Sequence, residues 1–319
     1  MKALRVTEGS LTLSEIEPPK LSGEALVRVS CSGICNTDVE IVRGYAGFSG
    51  TLGHEFVGVV EDSPGRTELV GKRVVGEINA GCGECLLCKS GDPRHCPRRT
   101  VLGIVGRDGA HAEYLTLPTE NLLEIPDSIT DHEAVFAEPL SAAIGITELI
   151  GIDKETDLAV VGDGKLGLLC AMALRLATPK ILLIGRHSRK LRLAEQMDIE
   201  TALDDVMVHH DRKFDVVVEA SGSESGFGTA LQLVRPRGKI VLKSTFHGQA
   251  SWPASNIVVD EIMIVGSRCG RMAPAVDLLI DKKIDVTKLV DDEFPLTDGL
   301  AAFDRATEKG VLKVLIRTG

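Results

Sequence analysis

Four cysteines, Cys82, Cys85, Cys88 and Cys96, fall in one short stretch with the spacing C-x2-C-x2-C-x7-C. Two-residue gaps let neighbouring thiolates converge on one tetrahedral cation, and four sulfur donors close its coordination shell, as a structural zinc site requires. Disulfide pairing is the competing use of the same residues. The chain opens Met1-Lys2-Ala3-Leu4-Arg5-Val6 without an apolar leader. That points to a reducing, cytoplasmic setting where disulfides are rare and a metal is the better reading. Cys31, Cys35, Cys170 and Cys269 lie elsewhere. Cys170, in the apolar run Leu168-Leu169-Cys170-Ala171-Met172-Ala173, reads as a buried small hydrophobe.

A second group of metal-binding residue types is scattered. Gly33-Ile34-Cys35-Asn36-Thr37-Asp38 and Gly53-His54-Glu55 follow strand-like segments, and Ala137-Glu138-Pro139 lies where the two halves of the chain meet. Taken singly, each cysteine or histidine is more often core than ligand. Together they supply one thiolate, one imidazole and one or two carboxylates, enough for three protein ligands and an open position. An open position lets a metal polarise a substrate oxygen.

Gly162-Asp163-Gly164-Lys165-Leu166-Gly167 fits G-x-G-x-x-G, follows the apolar strand Leu158–Val161 and opens an apolar helix. In that setting Gly162 permits the tight turn, Gly164 lets backbone approach a pyrophosphate, and Gly167 lets helix and strand pack closely. The free N–H groups of the helix N-terminus face the phosphates. About 20 positions on, an acidic residue would hold the adenosine ribose and favour NAD. The chain reads Ile184-Gly185-Arg186-His187-Ser188-Arg189-Lys190 there. No carboxylate is available in that segment, and Arg186 and Arg189 could grip a 2′-phosphate. NADP(H) is therefore expected over NAD(H); the plainer alternative makes Arg189 and Lys190 the solvated face of the next helix.

The elements that carry these residues differ in texture. At 319 residues the chain is long enough for two domains with sizeable cores. From Met1 to about Leu117 short alternating stretches such as Ala25–Val29, Phe56–Val60 and Lys72–Val75 are broken by glycine, the pattern of a β-rich, barrel-like domain. Thr130-x-x-Glu133 is a capping box opening a helix, with Pro139 expected to interrupt it before a second helix through about Leu149. Beyond Asp157 apolar strands alternate with helical stretches, which means a doubly wound α/β unit on a parallel sheet. The stretch from Ala273 reads as helix–loop–helix–strand rejoining the first domain. A net charge of −10 with dispersed basic residues disfavours nucleic acid. Aromatics at 3% offer no stacking platform, and no apolar run approaches the roughly 18 residues that span a membrane.

G-I-C-N-T-D, G-H-E-F-V-G-V-V-E, G-K-R-V, the four-cysteine lobe, G-D-G-K-L-G and Asp215-Val216-Val217-Val218-Glu219-Ala220-Ser221-Gly222 together make the chain resemble the zinc-containing medium-chain dehydrogenase/reductase superfamily, the alcohol, sorbitol and threonine dehydrogenase group. The resemblance covers essentially the whole chain. It implies a GroES-like, partly open barrel over residues 1–140 and 270–319, with a structural zinc lobe at 81–97. Residues 141–269 would form a Rossmann nucleotide-binding domain. Cys35 and His54 would ligate a catalytic zinc, Glu138 matches the third-ligand position, and Glu55 matches a glutamate able to enter the metal shell. Asp38 would orient the histidine, and Thr37 would bridge substrate oxygen and the path by which a proton leaves. Family members often carry a histidine where this chain has Glu40, so either a carboxylate relays the proton or Glu40 is solvated and water does. The implied activity is reversible hydride transfer between a secondary alcohol or polyol and NAD(P), in a homodimer or homotetramer. A zinc-independent quinone or enoyl reductase on the same fold, or a catalytically silent nucleotide-binding protein, are the alternatives.

Overall fold

A computed structural model of the chain describes residues 1–20, 23–204, 213–245 and 253–319. Two units emerge, one from residues 1–138 and 272–319 and one from residues 139–271.

Strand Ala25–Gly33 is the spine of the first unit. Ala25, Val27, Val29 and Cys31 are buried at alternate positions, as the two-residue period of a half-covered strand demands. It pairs antiparallel with Glu55–Asp62, Tyr114–Leu117 and Lys313–Arg317. The sheet runs Leu122–Glu124, Arg73–Gly76, Glu55–Asp62, Ala25–Gly33, Lys313–Arg317, Val290–Pro295, with Tyr114–Leu117 joined off that path. Small sheets of Ser10–Glu15, Lys2–Thr7 and Gly50–Thr51, and of Asn79–Ala80, Thr100–Leu102 and Gly106–Arg107, flank it.

The core of this unit fixes the segments that matter for chemistry. Ile34 and Leu52, immediately before the Cys35 and Gly53-His54 segments, are fully buried in one apolar cluster with Leu4, Ile41, Phe303 and Ile316. Burying a side chain of that size is worth about 1.5–3 kcal/mol, so each segment is pinned one or two residues from its candidate ligand.

The second unit is a six-stranded parallel sheet in the order Glu200–Leu203, Ile181–Gly185, Leu158–Val161, Phe214–Glu219, Val234–Leu242, Met263–Gly266. Counted along the chain, the first of these strands is central and the order reverses between it and the fourth, which is the doubly wound dinucleotide-binding topology. Leu158–Val161 and Ile181–Gly185 are buried throughout, as strands covered by helices on both faces must be.

Local elements follow the sequence signals with three differences. Thr130 caps helix Asp131–Ala134 in a capping box with Glu133. Pro139, however, sits in the first turn of helix Ala137–Ile144 rather than breaking a helix. A missing N–H costs nothing there, because first-turn donors have no partner within the helix. Two strands go beyond the sequence pattern, the edge strand Glu200–Leu203 and the acidic Val290–Pro295.

Candidate metal centres and dinucleotide site

Cys35 ends the connection from strand Ala25–Gly33 and stands at the N-cap of helix Asn36–Val42. His54 and Glu55 stand at the start of strand Glu55–Asp62, which lies beside Ala25–Gly33 in the sheet. One ligand atom each from Cys35, His54 and Glu55 lies within 4.8 Å of the other two. Glu138 falls outside that set, yet its carboxyl feels the charges of His54, Glu55, Glu77 and Lys313.

Asp38 ties the two segments together. Its carboxylate, with no exposed surface, accepts from the backbone N–H of Cys35 at 2.8 Å and of Gly53 at 3.2 Å. Its Oδ1 lies 3.3 Å from His54 Nδ1, which leaves the opposite ring nitrogen for a metal. Its Oδ2 lies 3.6 Å from Nε2 of His111, another fully buried imidazole, whose Nδ1 meets the Ser32 hydroxyl at 2.8 Å. The thiol of Cys35 reaches Thr37 Oγ1 at 3.7 Å. Glu40, five residues past the N-cap, accepts from Arg43 at 2.8 Å.

Charge in this cluster suits a cation. Burial opposes ionisation of Asp38, but the His54 and His111 rings outweigh it and hold the carboxyl well below the usual range. Burial disfavours a charged His54, but Asp38 and Cys35 outweigh it and raise its affinity for a proton well above normal. Desolvation pushes Glu138 up to about 7, with Glu55 and Glu77 adding to the push against the pull of His54. His54 and Glu138 thus hold protons more tightly than usual among anionic neighbours. A divalent ion would balance the same charge and release those protons, so the donor set fits zinc.

The cysteine lobe is a second such set. Ligand atoms of Cys82, Cys85, Cys88 and Cys96 lie within 4.8 Å of one another, and all eight cysteines are free thiols. Cys96 Sγ accepts from the N–H groups of Cys82 at 3.4 Å and Arg98 at 3.3 Å, and the Arg98 guanidinium donates to Cys82 Sγ at 3.2 Å. Backbone N–H groups of Glu84 and Cys85 bring the Cys82 thiol down to about 6. Desolvation and the neighbouring sulfurs push Cys88 up to about 11. Four thiolates cannot coexist at this spacing without a cation, a need that zinc would meet.

In the second unit Gly162 has φ +118°, and a Cβ there would sit 2.7 Å from the backbone of Ala220. Gly164 caps helix Lys165–Leu174, and a Cβ on it would meet nothing within 4 Å. Bare backbone therefore faces open space beside the N–H groups of Lys165, Leu166 and Gly167, which fits a pyrophosphate. Gly185 ends its strand, Arg186 and His187 form the turn, and Ser188 and Arg189 begin helix Ser188–Glu195, with Arg189 exposed. The turn itself lacks a carboxylate, but the fold delivers one to it. Asp163 Oδ2 accepts from the N–H groups of Arg186 at 2.8 Å and His187 at 2.7 Å.

Residues 21–127 match the alcohol dehydrogenase GroES-like domain, and residues 166–281 match the zinc-binding dehydrogenase domain. Sorbitol dehydrogenase of Halalkalibacterium halodurans is 30% identical to the chain, covering 99% of each. The chain belongs to the zinc-type medium-chain dehydrogenase/reductase superfamily. An L-threonine 3-dehydrogenase of Idiomarina loihiensis is 28% identical over 95% of the chain and 96% of its own length. A zinc-binding dehydrogenase of Sinorhizobium meliloti bound to NADP superposes with a TM-score of 0.91 at 27% identity, covering 99% of both chains. The alcohol dehydrogenase RspB of Escherichia coli complexed with NADH gives 0.92 at 26% identity, covering 100% of this chain and 99% of its own. Membership in this superfamily makes the chain an oxidoreductase of the alcohol dehydrogenase type on GroES-like and Rossmann domains.

Sequence reasoning missed two residues near the first metal set. Lys313, fully buried, pairs with Glu55, donates to the Ile34 carbonyl at 3.5 Å and lies 5.4 Å from the Phe136 ring centre. The one available signal was a charge inside the apolar run Val311-Leu312-Lys313-Val314-Leu315-Ile316. His111 carried none, since a lone histidine reads as core. Among the described residues, no helix is long and apolar enough to cross a membrane.

Proposed function

We propose that the chain is a zinc-dependent oxidoreductase that moves a hydride reversibly between a secondary alcohol or polyol carbon and NAD(P), with NADP(H) favoured. The convergence of Cys35, His54 and Glu55 within 4.8 Å carries this reading. Zinc held by Cys35, His54 and a carboxylate, Glu138 or Glu55, would supply Lewis acidity toward the substrate oxygen, while NAD(P) takes the hydride.

The chain's own residues then have defined tasks. Asp38 keeps His54 oriented and its far nitrogen available. Thr37 takes the substrate hydroxyl proton at Oγ1, a role supported by its contact with Cys35. Glu40 is held by Arg43, which supports proton exit through water rather than through its carboxylate. Gly162, Gly164 and Gly167 with the helix start at Lys165 and Leu166 bind the pyrophosphate. Arg186 and Arg189 support the preference for a 2′-phosphate. The carboxylate-bearing donor set favours a secondary alcohol or polyol. Cys82, Cys85, Cys88 and Cys96 hold a structural zinc. Exposed Val258, Val259 and Met263, the last on the outermost strand of its sheet, support self-association as a homodimer or homotetramer. Eight free thiols support a cytoplasmic location.

Metal analysis with a substrate screen tests the reading. The purified protein should carry zinc at each site and oxidise secondary alcohols or polyols with NADP more efficiently than with NAD, by kcat/KM. Cys35→Ala should abolish turnover with dinucleotide binding retained. Activity that survives removal of the metal at Cys35 overturns the mechanism.

A further inference from the structure

Asp163 does more than occupy a variable position in G-x-G-x-x-G. Its side chain, only 8% exposed, leaves the glycine loop and reaches the turn after strand Ile181–Gly185. Oδ2 accepts from the N–H groups of Arg186 and His187, and the His187 ring Nδ1 lies 3.0 Å from each carboxylate oxygen. The fit is close, because a Cβ on Gly185 would come within 2.5 Å of both Asp163 Cβ and Oδ2. This turn is where dinucleotide-binding folds of this topology read the adenosine ribose, through an acidic residue that follows the second strand. Here the acid comes from the first loop instead. The backbone and ring donors occupy three of about four acceptor positions on the carboxylate, so one remains for a ribose hydroxyl.

The cation beside it is already engaged. Arg186 donates from Nε to Asp204 Oδ2 and from Nη2 to Ser225 Oγ, each at 3.0 Å. Ser225 continues through Ser223 and Ser221 to Glu219 in a chain of hydroxyl contacts. Two carboxylates therefore temper the positive charge that Arg186 and Arg189 bring to the turn.

We infer that Asp163 is a specificity-determining residue for the dinucleotide: its fixed negative charge under the ribose position penalises a 2′-phosphate and keeps NAD(H) usable. The inference rests on the reading of this loop as a dinucleotide site. A 2′-phosphate adds about two negative charges, and at separations of about 6 Å in a water-like medium their repulsion by one carboxylate amounts to about tenfold in affinity.

The test measures Kd for NADH and NADPH by calorimetry on the zinc-loaded wild type, Asp163→Asn and Asp163→Ala, at low salt and at about 0.5 M salt. Alanine is a second route because the pattern accepts any residue at that position, and a thermal melt of each variant verifies folding. The expected result is a shift of the NADPH-to-NADH affinity ratio toward NADPH by about tenfold in both variants at low salt, shrinking at high salt. A brace that only orders the turn would weaken both dinucleotides in parallel. An unchanged ratio, or a ratio moving toward NADH, overturns the inference while leaving the dinucleotide site intact. If wild type binds neither dinucleotide, the site reading fails and the inference falls with it.

Discussion

Lys313 and Glu55, 258 positions apart in sequence, form an ion pair from which water is excluded. Removing one partner of such a pair strands the other charge and costs about 3–5 kcal/mol, whereas neutralising both at similar volume is far milder. Lys313→Met should therefore lower the denaturation midpoint strongly, and Lys313→Met with Glu55→Gln should recover a large part of the loss. Urea titration of the zinc-loaded protein reads both. Additive losses in the double variant would mean that the two residues do not act as a pair.

Asp38 is the common acceptor for the Cys35 and Gly53 backbones and the neighbour of His54. Groups that orient a metal-bound imidazole typically contribute 10–100-fold to metal affinity or activity. Asp38→Asn should lose zinc to a chelator at about that factor lower concentration, with the zinc of the cysteine lobe retained. Equal loss of both metals would assign Asp38 a global structural role.

Cys96 is fully buried and accepts two backbone N–H groups. Cys96→Ser should release the lobe zinc alone and lower Tm, because a structural site contributes its binding energy to folding. Metal analysis before and after gel filtration checks this. A variant that keeps full zinc content contradicts the four-cysteine site.

Glu293 sits in a fork from Arg317, with Nε to Oε1 at 2.8 Å and Nη2 to Oε2 at 3.0 Å. The Arg317 contact holds its carboxyl below the ordinary value of 4.5 despite partial burial. A depressed acid binds more protons when unfolded, so its stabilisation is complete above about pH 4.5 and fades as pH falls below that. Glu293→Gln should lose less than about 1 kcal/mol at pH 7, and its Tm should depend less steeply on pH between 5 and 3 than that of wild type. Parallel Tm curves would refute the contribution.

Legibility from sequence divides along physical lines. The cysteine lobe and the glycine loop were readable because their geometry is local: a few residues set the donor spacing or the turn. Cys35 and His54 were readable only jointly, through a resemblance spanning the chain. Val290–Pro295 was not, since Val290-Asp291-Asp292-Glu293 reads as a solvated acidic run. It is a strand because it pairs with Lys313–Arg317, where Arg317, 24 positions from Glu293, meets that carboxylate at 2.8 Å, a partner beyond any local window. Glu200–Leu203 lacks apolar alternation and stands at a sheet edge, where pairing on one side suffices. The reach of Asp163 to the Arg186 turn depends on two parallel strands lying side by side, a relation that no spacing encodes.

Strand Lys313–Arg317 is wedged between Ala25–Gly33 and Val290–Pro295, which gives translation a fixed order of events. Residues 139–271 form a continuous stretch with its own sheet and can collapse while later codons are still being read. The other unit must wait, since its strand Lys313–Arg317 comes after all of residues 139–271. A chain cut just before Lys313 would thus keep every strand of the parallel sheet yet leave Glu55 without its counter-charge.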